Sequence, residues 1–182
     1  MLSEYDKFSD EEIIEEVIQG NTRAYGELFK RYFDEIYRYV YYRVASDHFE
    51  AEDLTQTVFI RAWEVLLKKK TTKYNYRALT YRIAHNLTID RWRTRKQAIS
   101  IMHAVQEKDS APTPDLIISH NEESHELVKA IRELAPQLQT VIICRFINGL
   151  SHAETAEAMG LTEGHVRVLQ YRALKKIRVV IK

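Results

Sequence analysis

The 182-residue sequence predicts an all-α fold of two helical domains. Three observations carry that reading. There are only 5 Gly and 3 Pro, and no Gly falls between Gly26 and Gly149; an all-β chain needs turn residues every ten positions or so. Apolar residues recur at helical spacing along most of the chain. Two capping-box signatures, Ser9 with Glu12 and Ser151 with Glu154, open helical patterns.

The elements follow in order. After Ser9, Ile13, Val17 and Ile18 form a first short stripe, ended by Gly20-Asn21. Ala24, Leu28, Tyr32, Ile36, Val40 and Val44 mark a long amphipathic helix. A third is expected over roughly Ala51 to Leu67, with Leu54, Val58, Ala62 and Leu66 four apart. The run Lys68-Lys69-Lys70-Thr71-Thr72-Lys73 breaks the pattern and reads as a basic loop. A fourth helix is expected from about Tyr76 to Lys96, with Leu79, Ile83 and Leu87 inward. These four form one bundle over residues 1–97.

Periodicity fades over residues 98–124, where Pro112 and Pro114 sit among Ser, Asp and Glu. That stretch reads as a flexible linker. The pattern resumes at 125–182. Leu127, Ile131 and Leu134 suggest one short helix and Val141 to Ile147 another, stopped by Asn148-Gly149. The second capping box opens a helix to Met159, Gly160-Leu161 makes a turn, and Thr162 caps a last helix to about Val180.

Composition narrows the function. The single cysteine, Cys144, excludes an intrachain disulfide framework and reads as a core residue. The longest charge-free run, Leu134 to Cys144, has 11 residues, too few to span a bilayer. No membrane insertion, no cofactor and a cytoplasmic location are expected. The net charge of +1 conceals a pattern: −8 over residues 1–60, +9 over 61–98, −5 over 99–126 and +5 over 127–182. Two basic blocks offer neutralising contacts to phosphates.

The second basic block has the form of a helix-turn-helix: short helix, glycine turn, longer basic helix. At 100° per residue from Val166, the residues Leu169, Ala173 and Ile177 face the core. Val168, Tyr171 and Lys175 point the other way, flanked by Arg167 and Arg172. That outer face suits a major groove, where Arg bridges guanine O6 and N7 and an apolar group meets a thymine methyl. Lys176 and Arg178 suit phosphates. The first basic block mixes cations with aromatics: Lys73, Tyr74, Tyr76, Arg77, Tyr81, Arg82, Trp92, Arg93 and Arg95. Such a mixture suits single-stranded nucleic acid, with bases on aromatic platforms and an amide such as Asn86 reading a flipped base. Trp92 by itself reads better as bundle packing; for Tyr74 and Tyr76 both roles stay open.

Three stretches resemble one family. Residues 51–63 (AEDLTQTVFIRAW) resemble the polymerase-binding helix of bacterial sigma factors, and residues 81–93 (YRIAHNLTIDRWR) the helix after it. Residues 148–167 (NGLSHAETAEAMGLTEGHVR) with 172–178 (RALKKIR) resemble the C-terminal sigma domain. Two domains and a short linker look like the extracytoplasmic-function group of the sigma-70 family.

The resemblance implies that Asp53 and Gln56 dock on the clamp helices of the polymerase β′ subunit; three apart, they share a helix face. It implies that loop 68–75, with Lys73, Tyr74 and Asn75, and then Tyr76, Asn86 and Arg93, holds the minus-ten promoter element as single strand. His165, Arg167, Val168, Tyr171, Arg172 and Lys175 would read the minus-thirty-five element as duplex. Implied partners are core RNA polymerase (β′ clamp helices and β flap), promoter DNA and an anti-sigma factor. Leu79 and His165 depart from the family pattern, and His165 bears on which promoter is read.

Two rivals are set against this. A free-standing helix-turn-helix regulator would leave the Asp53/Gln56 helix without a role. A metalloenzyme would need His120, Glu122, Glu123, His125 and Glu126, which fall in the predicted linker, or His48 with Glu52, which lacks a third ligand; no metal site is expected.

Overall fold

In the computed structural model, the described residues are 5, 7–44, 47–73, 75–105 and 129–180. All regular structure among them is helical. Helices α1 (Asp10–Ile18), α2 (Thr22–Arg43), α3 (His48–Lys69) and α4 (Tyr76–Val105) form the N-terminal bundle. Helix α5 (Pro136–Ile142) runs into a π-helical turn (Ile143–Ile147), followed by α6 (His152–Met159) and α7 (Glu163–Val180).

Local chemistry places the ends. Both capping boxes are formed: the Ser9 hydroxyl accepts from Glu12 N–H while Glu12 accepts from Ser9 N–H, and Ser151 and Glu154 repeat the arrangement. Asn21 caps α2 through Arg23 and Ala24 N–H. Gly160 ends α6 in the left-handed region, φ 65°, where a side chain would be strained. Thr162 accepts from His165 N–H at 3.3 Å and so caps α7.

Three expectations are corrected. Helix α3 starts at His48, not near Ala51, because Asp47 caps it by accepting from Glu50 N–H at 3.0 Å. Helix α4 continues to Val105, through the first eight residues of the expected linker. Its stretch 91–97 is exposed throughout, so helix-favouring Arg, Lys and Gln extend it without a buried face. The expected helix from Val141 to Ile147 widens to π geometry at Ile143, with Asn148 N–H bonded to the Ile143 carbonyl at 3.0 Å. The acidic and histidine residues 120–126 lie outside the described residues.

The core of the bundle joins Ile13, Ile14, Val17, Leu28, Ile36, Tyr39, Val58, Leu66 and Tyr81, all fully buried. The C-terminal core is Ala130, Ile131, Val141, Ile143, Leu150, Val166 and Ala173. Cys144 lies in it, and burial pushes its thiol up to about 12, which keeps it protonated and unreactive. The two cores are continuous, because α4 packs on α6 and α2 on the π-turn. Among the described residues, no helix is long and apolar enough to cross a membrane.

Candidate nucleic-acid and polymerase interface

Three exposed faces carry the predicted functional residues. The first is on α3, where Asp53 and Gln56 are both exposed and one turn apart. Beside them lies an apolar groove of about 450 Å³, lined by Tyr25, Phe29, Gln56, Phe59, Ile60 and Trp63. Ile60 is 60% exposed. It falls off the apolar stripe of α3, and that off-stripe position was the signal that could have marked it. Tyr25 is fixed behind the groove by donating to the Phe59 carbonyl and packing edge-on against Trp63 at 4.5 Å.

The second face is the loop between α3 and α4 with the outer side of α4. Lys70 leaves α3 in the left-handed region, φ 47°, turning the chain sharply. The loop then settles on local bonds: Lys73 N–H donates to Thr71 Oγ1 at 3.3 Å, and Asn75 Oδ1 accepts from Ala78 N–H at 3.0 Å. Asn75 is thus the cap of α4. Lys73, Asn75, Asn86 and Arg93 are exposed; Tyr74 lies outside the described residues. Thr72, Lys73 and Asn75 face Asp10 and Glu11 of α1 across a cavity of about 600 Å³. This contribution of α1 was not foreseen.

Tyr76 does not belong to this surface. It is 1% exposed, with its ring against Tyr32 at 5.4 Å and its hydroxyl donating to Tyr25 Oη at 3.2 Å. A base cannot stack on a ring enclosed on both sides, so the stacking role falls away. Tyr81 is likewise core, with its hydroxyl donating to Glu35 Oε2 at 3.2 Å. Trp92 reverses the expectation in the other direction. It is 44% exposed, with the Lys96 ammonium 5.2 Å from its ring, so among the described residues it supplies an aromatic surface on this face.

The third face is α7. Val166, Leu169, Ala173 and Ile177 are buried, while His165, Arg167, Val168, Tyr171, Arg172 and Lys175 are all exposed. Tyr171 is 70% and Val168 46% exposed, which leaves apolar groups facing solvent between cations. Arg167 pairs with Glu163 one turn earlier at 3.4 Å.

The second and third faces meet. A cavity of about 1350 Å³ between the domains is bordered by Asn86, Trp92 and Arg93 from α4 and by Arg172, Lys175 and Lys176 from α7. Among the described residues, no group of three or more His, Cys, Asp or Glu is placed to hold a metal ion. His48 instead shares a hydrogen bond with the Tyr37 hydroxyl at 2.7 Å.

Comparison with known proteins decides the family. Residues 28–98 match the family described as Sigma-70 region 2, and residues 130–179 match Sigma-70, region 4. The chain is 30% identical over 176 residues to the ECF RNA polymerase sigma factor SigW of Bacillus subtilis, covering 91% of this chain and 92% of SigW. The chain belongs to the ECF sigma factors. It is also 34% identical over 170 residues to the ECF sigma factor BldN of Streptomyces coelicolor, covering 91% of this chain and 63% of BldN, so it spans less than two thirds of that relative. Among solved structures it superposes on CnrH in complex with the cytosolic domain of CnrY, with TM-score 0.71 at 22% identity, covering 94% of this chain and 96% of CnrH. It also superposes on the sigma factor RpoE of Bartonella quintana, in complex with the anti-sigma factor NepR, with TM-score 0.66 at 20% identity, covering 86% and 95%. In sigma-family terms, α2 to α4 lie in region 2 and α5 to α7 in region 4.

Proposed function

We propose that this ECF sigma factor assigns each of its three faces one step of promoter-specific initiation. The α3 face, with Asp53, Gln56 and Ile60, docks on the β′ clamp helices of core RNA polymerase. An apolar groove edged by a carboxylate and an amide suits a helical partner that offers apolar and polar groups in alternation. Region 4 also meets the β flap. The chain makes and breaks no bonds; polymerase supplies the chemistry, in the cytoplasm.

Lys73, Asn75, Asn86, Trp92 and Arg93 hold the minus-ten element as single strand. Cations neutralise its phosphates, and amides meet base edges that pairing would otherwise occupy. Capture of an unstacked base offsets an extrusion cost of a few kcal/mol. His165, Arg167, Val168, Tyr171, Arg172 and Lys175 read the minus-thirty-five duplex in the major groove. An anti-sigma partner is proposed by analogy with the complex of RpoE with NepR.

The observation that carries this reading is the exposure of Asp53 and Gln56 beside an unfilled apolar groove, on a helix whose opposite side is core. The experiment is a binding titration of the full chain against core polymerase, beside an Asp53→Ala/Gln56→Ala variant. Tight binding by the parent chain with at least ten-fold loss in the variant supports it. Equal binding by both moves the docking face elsewhere. No binding by either, with specific binding of duplex DNA by the chain alone, favours a free-standing regulator.

A further inference from the structure

A recess of about 180 Å³ lies where the end of α2, the start of α3, the outer part of α4 and the segment leading into α5 come together. Its lining is one-sided in charge. Arg43, Arg91, Arg95 and Arg132 border it, and among the described residues Glu50 is the carboxylate that faces them. Glu50 is mostly buried and already engaged, accepting from Arg91 Nε. The recess thus keeps a positive surplus, carried by Arg43, Arg95 and Arg132.

The surplus is held in place by the fold. Arg43 Nη1 donates to the Pro136 carbonyl at 2.9 Å and to Gln139 Oε1 at 2.7 Å, and its Nε donates to Thr88 Oγ1 at 3.5 Å. Those bonds orient the guanidinium and do not use Nη2. Gln139 Nε2 donates in turn to the carbonyls of Arg132 at 2.8 Å and Leu134 at 3.0 Å. The backbone that carries Arg132 therefore shares a frame with Arg43. Burial lowers the pKa of Arg132 more than the nearby Tyr41 raises it. An anion beside Arg132 would offset that cost of burying charge.

We propose that this recess is an anion site for a terminal diphosphate group, either free diphosphate or the diphosphate of a nucleotide. Guanidinium groups offer paired N–H donors that match phosphate oxygens. At roughly 30 Å³ per water the recess holds about six waters. That is room for two linked phosphate groups and not for a nucleoside with them. A nucleoside would lie outside, beside Trp92, which is exposed and lines the same recess. A nucleic-acid backbone fits less well. Each of its phosphodiesters carries one charge with a sugar on either side, and the strand would have to turn into the recess and out again. Trp92 is shared with the proposed single-strand face, but neither the α3–α4 loop nor α7 contributes a residue to the recess. Because the cations are oriented before the ligand arrives, little ordering cost is left to binding.

The test is a calorimetric titration of the full chain, in low-salt buffer free of phosphate and magnesium. The probes are inorganic phosphate, inorganic diphosphate, ADP and GDP. Arg95→Gln and Arg132→Gln each remove one cation of the recess; Arg38→Gln removes an exposed cation elsewhere on α2. Arg95 is exposed and makes no ion pair among the described residues, so its loss leaves the fold intact. Diphosphate should bind more tightly than phosphate. Its affinity should fall roughly ten-fold in Arg95→Gln and in Arg132→Gln, and stay at the parent value in Arg38→Gln. Equal binding of inorganic diphosphate and the two nucleotides supports a site for the diphosphate alone. Tighter nucleotide binding, with the increment lost in Trp92→Leu, supports a nucleotide site with its base on the indole. Urea unfolding of each variant without ligand separates lost binding from lost fold. No saturable binding of any probe, or affinity unchanged in Arg95→Gln, overturns the proposal.

Discussion

His85 makes the stability of the fold depend on pH. It sits on α4 at the domain boundary, half-buried, with Nδ1 3.3 Å from the Tyr39 hydroxyl and 3.4 Å from Thr140 Oγ1. Burial, and after it the Arg43 guanidinium, lowers its pKa from 6.5 to about 4. Asp90 and Glu133 border the same cavity. The unfolded chain takes up a proton on this ring below about pH 6.5, whereas the folded chain does so only near pH 4. Stability is therefore complete above pH 6.5 and falls as pH drops toward 4. At 1.36 kcal/mol per unit the ceiling is about 3 kcal/mol. Solvent reaches part of the ring from the cavity, and screening reduces this to about 2 kcal/mol. The assay is urea unfolding at pH 7.5, 6 and 4.5 for the parent chain and for His85→Gln, which keeps a hydrogen-bonding group and does not titrate. Carboxylates common to both proteins cancel in the difference. The parent should lose about 2 kcal/mol more than the variant across this window. Parallel pH dependences would refute the reasoning.

Other outcomes follow from the same geometry. Tyr76→Phe should cost about 1 kcal/mol in urea unfolding, through loss of its bond to Tyr25, and leave promoter opening intact in a permanganate footprint. Trp92→Ala should do the reverse, weakening single-strand binding by roughly 1–3 kcal/mol with little change in stability. Leu150→Ala, at a fully buried position between the π-turn and α6, should cost about 2–5 kcal/mol in the same unfolding assay. Arg167→Ala should cost roughly 1–3 kcal/mol at one base pair of the upstream duplex, whereas Lys73→Ala should weaken single-strand binding evenly across sequences and flatten its salt dependence. Titrations by fluorescence anisotropy at two salt concentrations separate those two.

Helix ends were the most legible part of the fold, because Ser9, Ser151, Thr162 and Gly160 act through their immediate neighbours. The end of α4 was not, since residues 91–97 carry no apolar stripe and continue the helix on propensity alone. Tyr76 and Trp92 show how a site can be misread from composition. Both are aromatics among cations, yet Tyr76 lies three residues before Leu79, on the inward stripe, while Trp92 lies five after Leu87, well off it. Helix phase, not the company of charges, decided which was buried. The outward faces of α3 and α7 followed from phase and from the family resemblance together. The bonds from Arg77 to Glu35 Oε2 at 2.9 Å and to Glu154 Oε1 at 2.7 Å had no local signature. Glu35, Arg77 and Glu154 each look like ordinary surface charges, and only the packing of α4 on α6 brings them within reach.

The π-turn at Ile143–Ile147 has a consequence for how the chain tolerates change in length. A π-turn holds one residue more than an α-helical turn needs. Deleting one residue there would let the backbone close with ordinary α-helical bonds. Because the wider turn absorbs that residue, closing it would leave the segments on either side nearly in register, whereas a deletion within α5 would turn everything after it by about 100°, carrying Asn148 and Glu154 away from α2 and α4. The π-turn is thus the one stretch of this hairpin where a residue can be lost without re-aiming the helix-turn-helix. A deletion between 143 and 147 and one between 137 and 141 therefore differ in what they change: the first the backbone bonding, the second the direction of all that follows.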